Sequence, residues 1–301
     1  MAMSIDELEA FVTIAQRGGF ARAADILHRS QPAISRRIAM LEAALRTELF
    51  ERVPGGVVLT ESGRVFLPYA ESVLATLKDG AEAVRSLERG EHGAVSLALV
   101  GTLADARFAG LLRDFGQRFP DVKLGLRTAT SQEVSELVRS GEATLGLRYF
   151  TDPDPGLVSE AVMAEKLVVA CAPGHRFAGR KVRDIRKLAG ERWVSFPQQK
   201  RRRESFVSAL EQRLAAFGLA EAEIVHIDSL TAQRRFIEAG FGIALVIASG
   251  VEESLRLGTL KLIDVPALHG PVPITLVRRR NGYLGGAARA LIDAIKGTGN
   301  G

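Results

Sequence analysis

The stretch Ser30-Gln31-Pro32-Ala33-Ile34-Ser35-Arg36-Arg37 places hydroxyls, a carboxamide and two guanidiniums within two helical turns. Gln31 and Arg36 can hydrogen-bond base edges or phosphates, and Pro32 can touch a thymine methyl. Ser35 is short and suits a backbone or base contact. Arg37, and beyond them Arg52 and Thr60, extend the same polar set. A second group lies in the C-terminal two thirds. Thr102 follows an apolar run and Ser131 opens a helix; such hydroxyls, beside the free N–H groups of a helix N-terminus, can bind a carboxylate or phosphate. Ordinary N-capping is the competing reading. Arg148 ends an apolar run. Gln198, Arg202 and Arg203 stand before or at the start of a further helix, where a guanidinium could grip a carboxylate in bidentate fashion. The run Lys200-Arg201-Arg202-Arg203 reads equally as a solvated loop or a subunit contact.

Other chemistries find no support. There is no P-loop, no glycine-rich dinucleotide fingerprint and no Gly-x-Ser-x-Gly elbow. His28, His92, His175, His226 and His269 are scattered without metal-ligand spacing. Cys171 is the single cysteine, set in the apolar run LVVACAP, so a buried core thiol is expected and an intrachain disulfide is excluded. Neither an enzyme, nor a cofactor, nor a bound metal is expected.

These side chains need elements to hold them. Ser4 with Glu7 forms a capping-box pattern for a first helix over 4–17, and Leu8, Phe11, Val12 and Ala15 recur at helical spacing. Gly18-Gly19 stops it. A short second helix follows from Phe20. Ser30 caps a third, with Pro32 in its first turn. Ile34, Ile38, Leu41 and Leu45 form its inward stripe, which turns Pro32, Ser35 and Arg36 outward. Two extended runs around Pro54-Gly55-Gly56 predict a β-hairpin wing. From Thr60 to about Leu87 a long helix carries Phe66, Ala70, Val73, Leu77, Gly80, Val84 and Leu87 in a heptad-like seam suited to a second helix, with Pro68 as an early interruption.

After residue 93 the pattern alternates apolar runs with helices, which predicts a mostly parallel α/β sheet. Asp152-Pro153-Asp154-Pro155-Gly156 is the expected crossing between two lobes, with Val265-Pro266 the return. The predicted organisation is a helix-turn-helix domain over 1–61, a linker helix over 62–90 and a two-lobed α/β domain over 91–301. Lobe I spans 93–163 plus 266–297, and lobe II spans 164–265.

The chain has 301 residues, 47% hydrophobic and 25% charged, which is ordinary globular composition with room for two or three domains. The net charge is +5, and between Arg17 and Arg52 seven basic residues face four acidic ones. That excess attracts phosphates without specifying sequence. No apolar stretch reaches the length of a membrane span, and the acidic N-terminus lacks a signal pattern, so a soluble cytoplasmic protein is expected.

Taken whole, residues 19–63 resemble the N-terminal domain of LysR-type transcriptional regulators. The matching pieces are Gly19-Phe20, Ala23-Ala24, Ser30-Gln31-Pro32-Ala33-Ile34-Ser35, Leu41-Glu42, Leu49-Phe50-Glu51-Arg52 and Leu59-Thr60-Glu61-Ser62-Gly63, in that order and spacing. Gly240-Phe241-Gly242-Ile243-Ala244 extends the likeness into the C-terminal region. The resemblance implies a winged helix-turn-helix, a dimerising linker helix and an effector domain like a periplasmic binding protein. It also implies an inverted-repeat operator, a dimer of dimers, and DNA contacts at Gln31, Pro32, Ser35 and Arg36. Thr102 and Ser131 match positions where family members contact effectors, here expected to be carboxylates. Two features depart from the pattern: Arg46 stands where glycine is usual after the leucine closing the third helix, and the wing VPGGVV carries no arginine. A solute-binding or enzymatic module with an accessory DNA-binding domain is the alternative reading.

Overall fold

Ser4 accepts from the Glu7 N–H while Glu7 accepts from the Ser4 N–H, so the capping box starts helix α1 (Ile5–Arg17). Gly18 ends it in the left-handed region at φ 74°. Helix α2 (Phe20–Ile26) and helix α3 (Gln31–Leu45) follow, the latter capped by the Ser30 hydroxyl. Strands β1 (Phe50–Val53) and β2 (Gly56–Leu59) pair antiparallel as the wing. The three helices close around Phe11, Ile14, Ile34, Leu41 and Leu49, and the Phe11 ring packs tilted against Phe50 and Phe66. The structure, a computed structural model, describes residues 3–54, 56–89, 93–196, 210 and 214–298.

Helix α4 (Glu61–Arg89) runs through Pro68. Its expected seam divides between two surroundings. Ala70 is buried and Phe66 partly buried against the N-terminal core, so both are spent inside one chain. The exposed apolar stripe instead starts at Val65 and Tyr69 and continues through Val73, Leu77 and Val84. Of the expected seam, Phe66 and Ala70 are thus turned toward the N-terminal domain, while Val73, Leu77 and Val84 are exposed. The Leu87 side chain lies outside the described residues.

The C-terminal region comprises β3 (Ala94–Val100), α5 (Ala106–Arg118), β4 (Lys123–Ala129), α6 (Ser131–Arg139) and β5 (Leu145–Tyr149), then β6 (Leu157–Cys171), β7 (Trp193–Ser195) and β8 (Ile224–His226). Helix α7 (Leu230–Glu238), β9 (Ala244–Ile247), α8 (Glu252–Leu257), β10 (Lys261–Ile263), β11 (Pro271–Arg279) and α9 (Gly286–Thr298) complete it. Strand β3 pairs parallel with β4 and β5, and β7 with β8. The sheet is mixed rather than mostly parallel, because β6 and β11 run antiparallel along nine register pairs and β11 also pairs antiparallel with β5.

Strand β6 carries the chain between the two halves. Its first part, Leu157–Lys166, pairs with β11, and its second part, Leu167–Cys171, pairs with β9 and β10. The crossing is therefore inside a 15-residue strand, not at Asp152–Gly156. That segment is a turn closed within the first half: Asp152 accepts from the Asp154 N–H, and Asp154 from the Gly156 N–H. The polar alternation of LVSEAVMAEK concealed the strand. One core gathers Leu97, Leu145, Leu147, Ile274 and Leu291; another gathers Val169, Leu188, Trp193, Leu214 and Ile243. Cys171 is fully buried in the latter, as expected, and burial pushes its thiol up to about 11.

Candidate functional site

The outer face of α3 is polar and open. Gln31, Pro32, Ser35 and Arg36 are exposed, while Ile34 and Ile38 are buried beneath them. This follows from the 3.6-residue period, which puts i and i+4 on one side. Arg37 is turned differently: its Nη2 lies 2.5 Å from Asp6 Oδ2 on α1. Arg52 is exposed on β1 of the wing. Thr60 is committed to structure, since its hydroxyl donates to the Glu48 carbonyl at 2.7 Å and accepts from the Gly63 N–H at 3.0 Å. Only an acceptor lone pair remains to it. Arg46, at the family's glycine position, adopts φ 54°, ψ 36° as the C-cap of α3.

The second site is a cleft of about 490 Å³ between the two halves of the C-terminal region. Val100–Thr102, Thr128–Glu133 and Arg148–Phe150 line one side; Ser195, Phe196, Leu210 and Asp228–Thr231 line the other. Leu245 and Ile247 of β9 also contribute. The first turns of α6 and α7 both lie on it, from opposite sides. The first backbone N–H groups of each helix have no partner within the helix, and they carry the positive end of its dipole.

Thr102 and Ser131 meet in this cleft through a residue that sequence reasoning missed. The Thr102 hydroxyl is 2.6 Å from the Tyr149 phenol oxygen, and the Tyr149 N–H donates to Ser131 Oγ at 3.3 Å. Burial raises the Tyr149 phenol well above its ordinary value, so it stays protonated. Ser131 does not cap α6; Thr130 does, in a capping box with Glu133. Ser229 caps α7 without a reciprocal carboxylate, its hydroxyl accepting from the Ala232 N–H. The signal for Ser229 was present in Asp228-Ser229-Leu230-Thr231, a hydroxyl before a helix that mirrors Thr130-Ser131.

Arg148 is not a free cleft cation. It is buried, and its guanidinium is hydrogen-bonded to the Asp152 carboxylate and, at 3.2 Å, to Ser135 Oγ of α6. It is also the one arginine among the described residues lining the cleft. Gln198, Arg202 and Arg203 lie outside the described residues.

Comparison with known proteins bears on both sites. Residues 5–64 match the family model described as bacterial regulatory helix-turn-helix protein, lysR family, and residues 88–299 match LysR substrate binding domain. The chain belongs to the LysR family of transcriptional regulators. It is 29% identical over 274 residues to the HTH-type transcriptional regulator TfdS of Cupriavidus pinatubonensis, covering 91% of this chain and 92% of that one. It is 28% identical over 296 residues to the RuBisCO operon transcriptional regulator of Allochromatium vinosum, covering 98% and 96%. Among solved structures it is similar to CbnR in complex with its target DNA, at TM-score 0.62 and 25% identity, covering 98% of this chain and all of that one. Full-length OxyR from Pseudomonas aeruginosa shares the fold at TM-score 0.69 and 20% identity, over 98% and 95%. The protein is thus a DNA-binding transcriptional regulator with an effector-binding domain, and its relatives are named regulators, not enzymes. Nothing in these matches favours a solute-binding or enzymatic module. Among the described residues no helix is long and apolar enough to cross a membrane.

Proposed function

We propose that the outward face of α3 reads an inverted-repeat operator and that the cleft takes a small carboxylate. Arg36 and Gln31 contact base edges, Ser35 and Pro32 complete the face, and Arg52 reaches the phosphate backbone from an otherwise uncharged wing. Arg37 serves mainly to hold α3 to α1 through Asp6. The observation that carries the ligand reading is the convergence of two helix N-termini, α6 and α7, on one cleft whose Thr102 and Ser131 hydroxyls are held by Tyr149. Such termini favour negative charge. Asp228 lines the same cleft, so the ligand that fits best also carries a hydrogen-bond donor. Gln198, Arg202 and Arg203 remain the basic and polar side chains proposed to add to this grip.

The exposed stripe Val65, Tyr69, Val73, Leu77 and Val84 supports dimerisation through α4, with a dimer of dimers as the full assembly. Footprinting of the intergenic DNA beside the gene, with and without each member of a panel of small carboxylates, tests the whole reading. Protection of an inverted repeat that changes with a carboxylate is the expected result. Protection altered only by sugars or cations sinks the ligand assignment.

A further inference from the structure

Helix α6 joins two places that the proposed function keeps apart. It has nine residues and so spans roughly 13 Å. Its first turn lines the cleft. At its other end the Val138 carbonyl accepts a hydrogen bond from Arg279 Nη1 at 2.7 Å. The same guanidinium, through Nη2, donates to both Asp79 carboxylate oxygens on α4, at 2.7 and 2.9 Å. Asp79 Oδ2 also accepts from the Tyr283 N–H at 3.0 Å. Both charged side chains are largely withdrawn from solvent, at 12% and 17% exposure, so water competes weakly for this pair.

The contact around that ion pair is close. A Cβ on Gly141, the residue that turns the chain out of α6 at φ 75°, would sit 2.8 Å from Ala75 Cβ of α4. Lys78 Nζ donates to the Gly141 carbonyl at 3.2 Å. Between its ends α6 is seated on the sheet without slack: a Cβ on Gly146 of β5 would fall 2.6 Å from Val134 and from Val277. A tightly packed short helix passes a displacement along its length instead of absorbing it.

We propose that Arg279 is a positioning residue that couples the cleft to the DNA-binding domain, by tying the C-terminal end of α6 to Asp79 on α4. This rests on the ligand reading above. An anion drawn between the N-termini of α6 and α7 biases the position of α6. Because Arg279 holds Val138 and Asp79 together, α4 follows, and α4 is continuous with the wing and the N-terminal core. The ligand acts only to the extent that it favours one arrangement of α6 over the other.

The test uses the full-length protein and needs no ligand in its deciding arm. Ser131→Asp places a carboxylate at the start of α6, where the ligand charge would sit. Hydrogen–deuterium exchange of residues 72–82 in α4 is compared with and without it, in wild type, in Arg279→Gln and in Asp79→Asn. The expected result is at least a threefold change in exchange in the wild-type background that vanishes in both clamp variants. Asp79→Asn removes the charge of the pair and leaves Arg279 and Val138 unsubstituted, so it decides the matter if Arg279→Gln fails to fold. The same change in all backgrounds, or none in wild type, overturns the coupling. A parallel thermal-shift screen with benzoate, succinate and citrate addresses the ligand class separately. Its failure strikes the carboxylate reading and leaves the exchange result to judge Arg279.

Discussion

Thr102 and Tyr149 face each other across 2.6 Å, hydroxyl to phenol, and the Tyr149 N–H reaches on to Ser131. One tyrosine at the end of β5 thus fixes two hydroxyls that lie 29 positions apart in the chain. Thr102→Val with Ser131→Ala is expected to weaken binding of the carboxylate that stabilises wild type by at least about tenfold, since hydrogen bonds to a charged group contribute about 1.5–3 kcal/mol each. Calorimetric titration reads this directly. Wild-type affinity in the double variant would remove both residues from the site.

Arg36 and Arg37 are neighbours with different surroundings. Arg36 is exposed on the outer face, whereas Arg37 is paired with Asp6. Arg36→Ala should lower operator affinity by about 1–3 kcal/mol and relax sequence preference. Arg37→Ala should act mainly on stability, by about 1 kcal/mol or less for a partly exposed pair. Gel-shift titration at fixed salt, beside urea unfolding, separates the two.

The two faces of α4 also separate by experiment. Val73→Glu with Leu77→Glu should split the proposed dimer while the monomer stays folded, as seen by light scattering. Phe66→Ala should leave the mass alone and destabilise the N-terminal core by up to about 3 kcal/mol, because its ring packs on Phe11. A loss of mass on Phe66→Ala alone would place the interface on the other face.

Arg46 occupies a left-handed conformation that a side chain enters at a cost. Its side chain is exposed. Arg46→Gly is therefore expected to raise stability by about 1 kcal/mol, measured by chemical denaturation. A decrease would mean that the guanidinium makes a contact worth more than the strain.

Glu191 gives a pH signature. Burial alone would raise its carboxyl, but hydrogen bonds and charge from His175 and Arg176 outweigh that and hold it below the ordinary carboxylate value. A folded-state value below the unfolded one, about 4.3, stabilises the fold fully above that pH. The contribution is lost as pH falls through the folded value. Urea midpoints from pH 7 down to pH 3 should therefore fall more steeply in wild type than in Glu191→Gln. Parallel curves would show that the cluster adds nothing to stability.

The N-terminal domain was legible because its determinants are local. Ser4 with Glu7, Gly18, Ser30 with Pro32, and the Ile34–Ile38–Leu41 stripe each set a helix start, a stop or a face within a few residues. The polar face of α3 followed from that period alone. Thr102 and Ser131 were legible as types and positions, since a hydroxyl at a helix start is a local pattern.

What the tertiary structure decided depends on contacts between distant segments. Strand β6 changes partners between Lys166 and Leu167, inside one continuous strand, and not in the Pro-rich turn Asp152–Gly156. Arg148 looked like a cleft cation until the fold set Asp152 and Ser135 against it. Phe66 and Ala70 of the expected seam on α4 pack in the N-terminal core, which leaves Val65 and Tyr69 exposed beside Val73, Leu77 and Val84. Tyr149 and the Arg279–Asp79 pair carry no motif at all, the latter joining residues 200 apart. Periodicity specifies which side of an element is apolar; only packing specifies what covers it, and a charge becomes free or neutralised by what is folded against it.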